Sequence, residues 1–324
     1  MTHRILLVLV LSFTSLGVNL ARAESFTFVA LGDTSYEIPD DYPLYRSLIA
    51  TINAAAPRFS IHVGDTKGWG LCDDEFQLGQ KAFFESFAEP VVYAFGNNEW
   101  ADCWKENRGS GDPMAILQSM RTIFYAEARS MGQKKMPLTR QSDGDDFPLY
   151  AENVRWATEE VTFASLNVVG EHNNQFLRDP VLWQEFVDRE QANLAWIAAA
   201  FEYASSQGHK ALVLAMHSDI FSDLGRLDDG AFQPVLQAIS EGAAGFPGQV
   251  LVVHGHEHTF IIDRPLRVWD EDAGTSVGDN VTRLQVYGWP DMKAVQVKVD
   301  TSKPWVFGFE PLYPQPSLSP AFQD

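Results

Sequence analysis

The sequence predicts a layered α/β protein whose chemistry gathers at one edge of a sheet. Two features predict it. Short apolar runs recur along the chain, each stopping at a carboxylate, an amide or an imidazole. Helical patterns at residues 44–55, 76–87 and 181–204 lie between them, so strands alternate with helices. In such sheets ligands collect beyond the carboxyl ends of the strands, and polar groups far apart in sequence are expected to meet there.

The runs can be taken in order. Phe26-Thr27-Phe28-Val29-Ala30-Leu31 enters Gly32-Asp33-Thr34-Ser35-Tyr36, and Phe59-Ser60-Ile61-His62-Val63 enters Gly64-Asp65. Val91-Val92-Tyr93-Ala94-Phe95 enters Gly96-Asn97-Asn98-Glu99, and Ala211-Leu212-Val213-Leu214-Ala215-Met216 enters His217-Ser218-Asp219. Each is short, largely apolar and ends in a potential oxygen or nitrogen ligand, as a strand of such a sheet would. The last, Gln249-Val250-Leu251-Val252-Val253, ends in His254-Gly255-His256-Glu257-His258. In extended backbone, side chains two apart point the same way, so His256 and His258 are expected to share one volume. Gly255 removes a side chain where the backbone turns or approaches something closely. Taken alone, the two imidazoles read either as metal ligands or as a hydrogen-bonded pair at a strand end.

The order Asp, Gly-Asp, Gly-Asn-x-Glu, His, Gly-His-x-His resembles the calcineurin-like superfamily of binuclear metallophosphoesterases, over roughly residues 25–300. More distantly the pattern is similar to purple acid phosphatases, and Gly-Asn-Asn-Glu-Trp-Ala-Asp-Cys looks like a group of exported bacterial members. The resemblance implies a four-layer αββα sandwich of mixed sheets with a metal site at the strand C-terminal edge. Residue by residue, it implies that Asp33 and His258 hold one metal, that Asp65 bridges, and that Asn97, His217 and His256 complete a second. Such a donor set suits two divalent or trivalent ions of Mn, Fe, Zn, Ni or Co. The implied reaction is hydrolysis of a phosphate mono- or diester by a metal-bridging hydroxide.

Two departures from the family pattern bear on activity. Ser35 stands where the first motif usually carries a ligating His, unless Tyr36 enters as a phenolate ligand in its place. Asn98 stands where the third motif usually carries the His that meets the phosphate, and loss of a proton donor costs on the order of 10²–10⁴ in rate. The catalytic candidates are therefore Asp65, Asn98 and Glu99, the last expected to orient its own loop or a ligand. His62, His254, Glu257 and Asp219 are the substitutes that sequence proximity offers for the missing acid. For each, a packed histidine or a solvated carboxylate is the competing explanation. The alternative function is a catalytically weakened metal- or phosphate-ligand-binding protein on the same fold; a third is a structural domain whose Asp and His only cap strands.

Composition bounds the setting. Residues 1–23 read as a secretory leader, with Arg4 before the mostly apolar residues 5–20 and Ala21-Arg22-Ala23 as a cleavage site. The alternative of an uncleaved anchor needs about 20 apolar residues. The expectation is a periplasmic or secreted protein without a membrane span after leader removal. Cys72 and Cys103 follow the second and third motifs; in an exported chain they read as a disulfide, otherwise as two free thiols. The net charge is −19, and losing the leader removes two arginines and no acid. So acidic a surface repels polyanions, which points away from nucleic acid and toward a small phosphorylated substrate.

Residues 24–309 are expected to form one metallophosphoesterase domain, followed by a flexible Pro-rich tail at residues 310–324. Residues 150–169 alternate as two strands, residues 281–309 supply several more, and the polar residues 130–148 read as a surface loop beside the site mouth. Gly170-Glu171-His172-Asn173-Asn174 reads as a turn or a substrate-facing loop. Trp69, Trp100 and Trp104 read as pocket walls or as packing aromatics, and Lys67 as a phosphate contact or a solvated cation.

Overall fold

The structure is a computed structural model; it describes residues 25–176, 179–221, 230–270 and 275–315. The expected leader, residues 1–23, lies outside the described residues. The chain runs β1 (Phe26–Leu31), α1 (Tyr42–Ala55), β2 (Ser60–His62), α2 (Asp74–Glu85), β3 (Val91–Tyr93), α3 (Pro113–Tyr125), β4 (Thr139–Arg140), β5 (Val154–Thr158) and β6 (Val161–Ser165). It continues through a short turn α4 (Gly170–Asn173), α5 (Pro180–Ser206), β7 (Ala211–Ala215), α6 (Gln233–Gly245), β8 (Gln249–His254), β9 (Ile261–Asp263), β10 (Val268–Asp270), β11 (Thr275–Val277), β12 (Val281–Gln285), β13 (Ala294–Val299) and β14 (Phe307–Leu312).

Local chemistry sets the helix starts. Asp73, Asp112 and Asp179 each accept a hydrogen bond from a first-turn amide of α2, α3 and α5, and Pro113 and Pro180 occupy the first helical positions of α3 and α5. The buried face of α1 is Tyr45, Leu48, Ile49 and Ile52, a helical spacing that lays it against a sheet.

The strands sort into two large mixed sheets, ordered β14-β13-β1-β2-β3 and β4-β5-β6-β7-β8-β12-β9, with β10-β11 as a separate hairpin. The parallel stretches are β1-β2-β3 in one and β6-β7-β8-β12 in the other. The sheets face each other through Phe28, which stacks on Phe59 at 5.5 Å and meets Phe163 edge-on at 5.4 Å. Period-two alternation then divides the second sheet's residues. Val213, Ala215, Leu251 and Val253 join the inter-sheet core, while Leu212, Leu214, Val250 and Val252 pack beneath α5 and α6. With α1, α2 and α3 on the outer face of the first sheet, the architecture is an αββα sandwich.

This arrangement splits the polar strand ends between two sheets. Asp33, Asp65 and Asn97 follow β1, β2 and β3 of the five-stranded sheet, and His217 and His256 follow β7 and β8 of the seven-stranded one. The site therefore lies on the seam between the sheets.

Two expectations need correcting. The segment of residues 130–148 is not one surface loop beside the site mouth: Met131 bridges to Val91 and the Gln133 amide donates to the Phe87 carbonyl at the amino end of β3, and Thr139–Arg140 then pair with β5 as an edge strand. The tail expected to be flexible from residue 310 begins as ordered strand, because Glu310, Pro311 and Leu312 pair with Gln296, Val295 and Ala294. Pro311 is tolerated there because β14 is an edge strand; residues 316–324 lie outside the described residues.

Candidate metal centre

Asp33, Asp65, His256 and His258 adopt left-handed backbone with φ of 49°, 52°, 76° and 55°. Positive φ is uncommon for such residues, and here it turns each chain end sharply across the seam. The two imidazoles of the Gly-His-x-His element thus reach the centre through tight turns, and not through strand alternation as their spacing predicts. Gly255 is required by contact: a Cβ there would lie 2.0 Å from Asp33 Oδ2. In its place the His256 amide donates to both Asp33 carboxylate oxygens at 3.0 Å.

One half of the centre is built from Asp65, Asn97, His217 and His256. Ligand atoms of Asp65, His217 and His256 all lie within 4.8 Å of one another. His217 Nδ1 lies 2.8 Å from the Val63 carbonyl, which can only accept, so Nδ1 carries the proton and Nε2 of the neutral ring is bare. Asn97 Nδ2 donates to Asn98 Oδ1 at 3.1 Å and Asp102 Oδ2 at 3.0 Å, which turns Asn97 Oδ1 toward His217. Oδ1 stands 2.9 Å from His217 Nε2, Asp65 Oδ1 stands 3.4 Å from it, and His256 Nδ1 3.2 Å. Three acceptors, His217 Nε2, Asn97 Oδ1 and Asp65 Oδ1, thus face one another in a buried place, and His256 Nδ1 joins them as donor or acceptor according to its tautomer. A second proton on His217 would satisfy one such pair, whereas a metal ion would satisfy them together.

The other half gathers around Tyr36. Its hydroxyl lies 2.8 Å from Asp65 Oδ2, 3.0 Å from His258 Nε2 and 3.5 Å from Asp33 Oδ1. His258 Nδ1 points at the Trp289 carbonyl 2.7 Å away, so its Nε2 is also a bare acceptor in the neutral ring. One phenolic proton faces three acceptors. Ser35, at φ 65°, is buried with no partner for its Oγ among the described residues.

The burial of these charges shapes their titration. Burial, followed by the charge of Asp33, pushes the Asp65 carboxyl up to about 7. Burial also pushes Asp33 up, but the His258 hydrogen bond and the surrounding imidazoles prevail and hold it below its ordinary value. Burial and His217 lower His256; for His258, burial is outweighed by the hydrogen bond and charge of Asp33, which raise it. Burial and the neighbouring carboxylates hold the Tyr36 phenol protonated far above its usual range.

The third-motif residues support the centre. The Asn98 amide N–H donates to Asp65 Oδ1 at 3.0 Å, and its side-chain Nδ2 donates to the Lys67 carbonyl at 2.7 Å and to the Tyr36 oxygen at 3.4 Å. Glu99 is fully buried and accepts from the Thr66 amide and hydroxyl, so it braces the Asp65 loop from behind. Among the substitute acids, His62 packs against Phe84 and Tyr93, and His254 lies beside Asp219, which is also reached by Arg283. Glu257 is exposed.

Three further expectations resolve. Lys67 is neither a phosphate contact nor solvated: it is buried, and its ammonium donates to the Gly70 and Leu71 carbonyls. Trp100 is buried, whereas Trp69 and Trp104 are half-exposed. Cys72 and Cys103 form a disulfide that joins the second and third motif loops. The loop from Gly170, which the sequence marks as a turn or a substrate-facing loop, is a turn against the proposed ligands, and sequence reasoning missed both that contact and Arg189. A Cβ on Gly170 would lie 2.1 Å from His256 Cε1 and 2.4 Å from Asn97 Oδ1. The buried Arg189 guanidinium donates to the Asn173 carbonyl at 2.7 Å and its Oδ1 at 2.6 Å, anchoring that turn. A glycine opening a polar strand-end loop was the available signal; nothing local marks Arg189.

No protein-family profile matches the chain, and no curated protein sequence matches it. Among solved structures it is similar to a dimetal phosphatase from Danio rerio, with 11% identity and a TM-score of 0.49 over 89% of this chain and 99% of that one. It is also similar to GAP50, described as the anchor in the inner membrane complex of Plasmodium, with 10% identity and a TM-score of 0.47 over 90% of each chain. No helix among the described residues is long and apolar enough to cross a membrane.

Proposed function

We propose that the chain is a metal-dependent phosphoesterase whose two ions, drawn from Mn, Fe, Zn, Ni or Co, are held by Asp33, Asp65, Asn97, His217, His256 and His258. The observation that carries this reading is the buried meeting of three acceptors, His217 Nε2, Asn97 Oδ1 and Asp65 Oδ1, of which Asp65 Oδ1 already receives the Asn98 amide. The mixture of carboxylate, amide and imidazole fits borderline metals. When bound, the ions neutralise the phosphoryl oxygens and bring the pKa of water toward neutrality.

The chain's own groups set the rest. Asp65 directs Oδ1 to the His217 half and Oδ2 to the Tyr36 half, so its carboxylate would be within reach of ions held in either half. Tyr36 is directed at Asp33, Asp65 and His258, and it serves as an extra ligand or as their hydrogen-bond donor. Asn98 holds Asp65 through its amide and has no acidic proton to give a leaving group. Esters whose alcohols depart without protonation, such as aryl esters, are therefore the expected substrates. Small phosphorylated substrates suit the acidic chain better than nucleic acid. Export is supported by the Cys72–Cys103 disulfide.

The test is hydrolysis of chromogenic phosphate mono- and diesters by metal-stripped protein with each metal restored, beside Asp65→Ala. Metal-restored turnover absent from the variant supports the reading; turnover retained in Asp65→Ala overturns it. Ser35 and Asn98 favour a second reading, a metal- or phosphate-ligand-binding protein. Tight binding of two ions without turnover on any ester would select it.

A further inference from the structure

Beside the metal centre a cleft of about 410 Å³ opens between the starts of α1 and α2. Its walls are Ile38, Tyr42, Trp69, Leu71 and Phe76. Trp69 is 51% and Leu71 62% exposed. Single exposed apolar residues are ordinary, but these two sit on a loop that is tied down and cannot fold them away. The Lys67 ammonium donates to the Gly70 carbonyl at 3.0 Å and the Leu71 carbonyl at 2.6 Å, the Gly70 amide donates to the Asn107 carbonyl at 3.2 Å, and Cys72 is joined to Cys103. The cleft is therefore held open in advance.

The same loop borders the metal centre. Lys67 accepts the Asn98 side chain through its carbonyl, and the Gly68 amide donates to the Tyr36 carbonyl at 3.3 Å. Ile38 follows Tyr36 by two residues and Trp69 follows Lys67 by two, so the cleft walls continue the two segments that carry Tyr36 and hold the Asn98 side chain. Asp73 and Glu75 also line it, which disfavours a second phosphate or another anionic group there.

We propose that this cleft binds an alkyl chain of the phosphate ester; the proposal rests on the phosphoesterase reading. The bound ester places its phosphate at the metal centre and its apolar group against Trp69 and Leu71.

Two p-nitrophenyl phosphodiesters, with methyl or hexyl as the second substituent, present the same leaving group and differ only in apolar length. With metal-loaded protein, the hexyl diester is expected to have at least ~10-fold higher kcat/KM, a modest share of what burying several methylenes supplies. Trp69→Ala and Leu71→Ser should shrink that ratio at least ~3-fold while leaving the methyl diester unchanged. A ratio near one in the native protein, or one unaltered in both variants, overturns the cleft assignment and leaves the phosphoesterase reading standing. If neither diester turns over, diester hydrolysis is excluded, p-nitrophenyl phosphate decides whether the phosphoesterase reading stands for monoesters, and calorimetry of hexyl phosphate against methyl phosphate decides the cleft. A hexyl preference lost in Trp69→Ala supports it, and equal affinities overturn it.

Discussion

The centre is assembled by single residues in unusual conformations. Asp33, Asp65, His256 and His258 all sit at positive φ, a state that costs non-glycine residues on the order of 1 kcal/mol or more each. The surrounding contacts must over-determine it, and glycines supply the room. Gly170 shows how tightly. Its backbone is unstrained for an L residue, since its φ lies outside the left-handed region, so Gly170→Ala tests contact alone. The added methyl would enter the space of His256 Cε1 and Asn97 Oδ1 and spread two proposed ligands apart. The expected result is a stability loss of about 1–3 kcal/mol and at least ~10-fold weaker metal binding by calorimetry. Unchanged affinity would show that Asn97 and His256 do not bind one ion. Polar residues closing apolar runs were legible here, because strand ends expose ligands. The left-handed turns were not, since Asp and His are enriched at positive φ but far from confined to it.

At the scale of elements, β1, β2, β3, β7 and β8 fall within one or two residues of the apolar runs, and α1, α2 and α5 match their helical patterns. Assignment of strands to sheets was hidden. Runs such as residues 211–215 and 249–254 are apolar on both faces, so nothing in them says whether the covering layer is a helix or another sheet. The disulfide is an element-level device as well. It closes a 31-residue separation, and both sulfurs lie against the Asn98 carbonyl, at 3.6 and 3.7 Å. Cys72→Ser with Cys103→Ser should lower the urea-unfolding free energy by about 3–4 kcal/mol by freeing the unfolded chain. It should also weaken metal binding, because Asn98 holds Asp65. Full affinity with lowered stability would confine the disulfide to a stabilising role.

Across the whole molecule, one strand of each large sheet ends on a buried imidazole, His62 of β2 and His254 of β8, and the two together make the fold sensitive to acid. Burial holds His62, packed against Phe84 and Tyr93, down to about 3, and holds His254, beside Asp219, down to about 4. Unfolded, both titrate near 6.5. Between those values the unfolded chain binds more protons, so their contribution is fully present above pH 6.5 and is lost as pH falls toward 4 and then 3. At pH 5 each costs about 2 kcal/mol. Asp65 acts in the opposite sense in metal-free protein, because its carboxyl is held up to about 7 in the native state and gains its proton there first. A single pH profile therefore mixes the two, and a variant separates them. His62→Asn keeps an acceptor for the Gly64 amide, which His62 Nδ1 receives at 3.3 Å, and removes the imidazole. In chelator, the stability lost between pH 7 and pH 5 should be about 2 kcal/mol smaller in the variant than in the native chain, read from urea midpoints. An identical loss in both would mean that the His62 ring is protonated in the fold at pH 5. The buried layer between the first sheet and α2 would then have to admit water or a counter-charge to reach it.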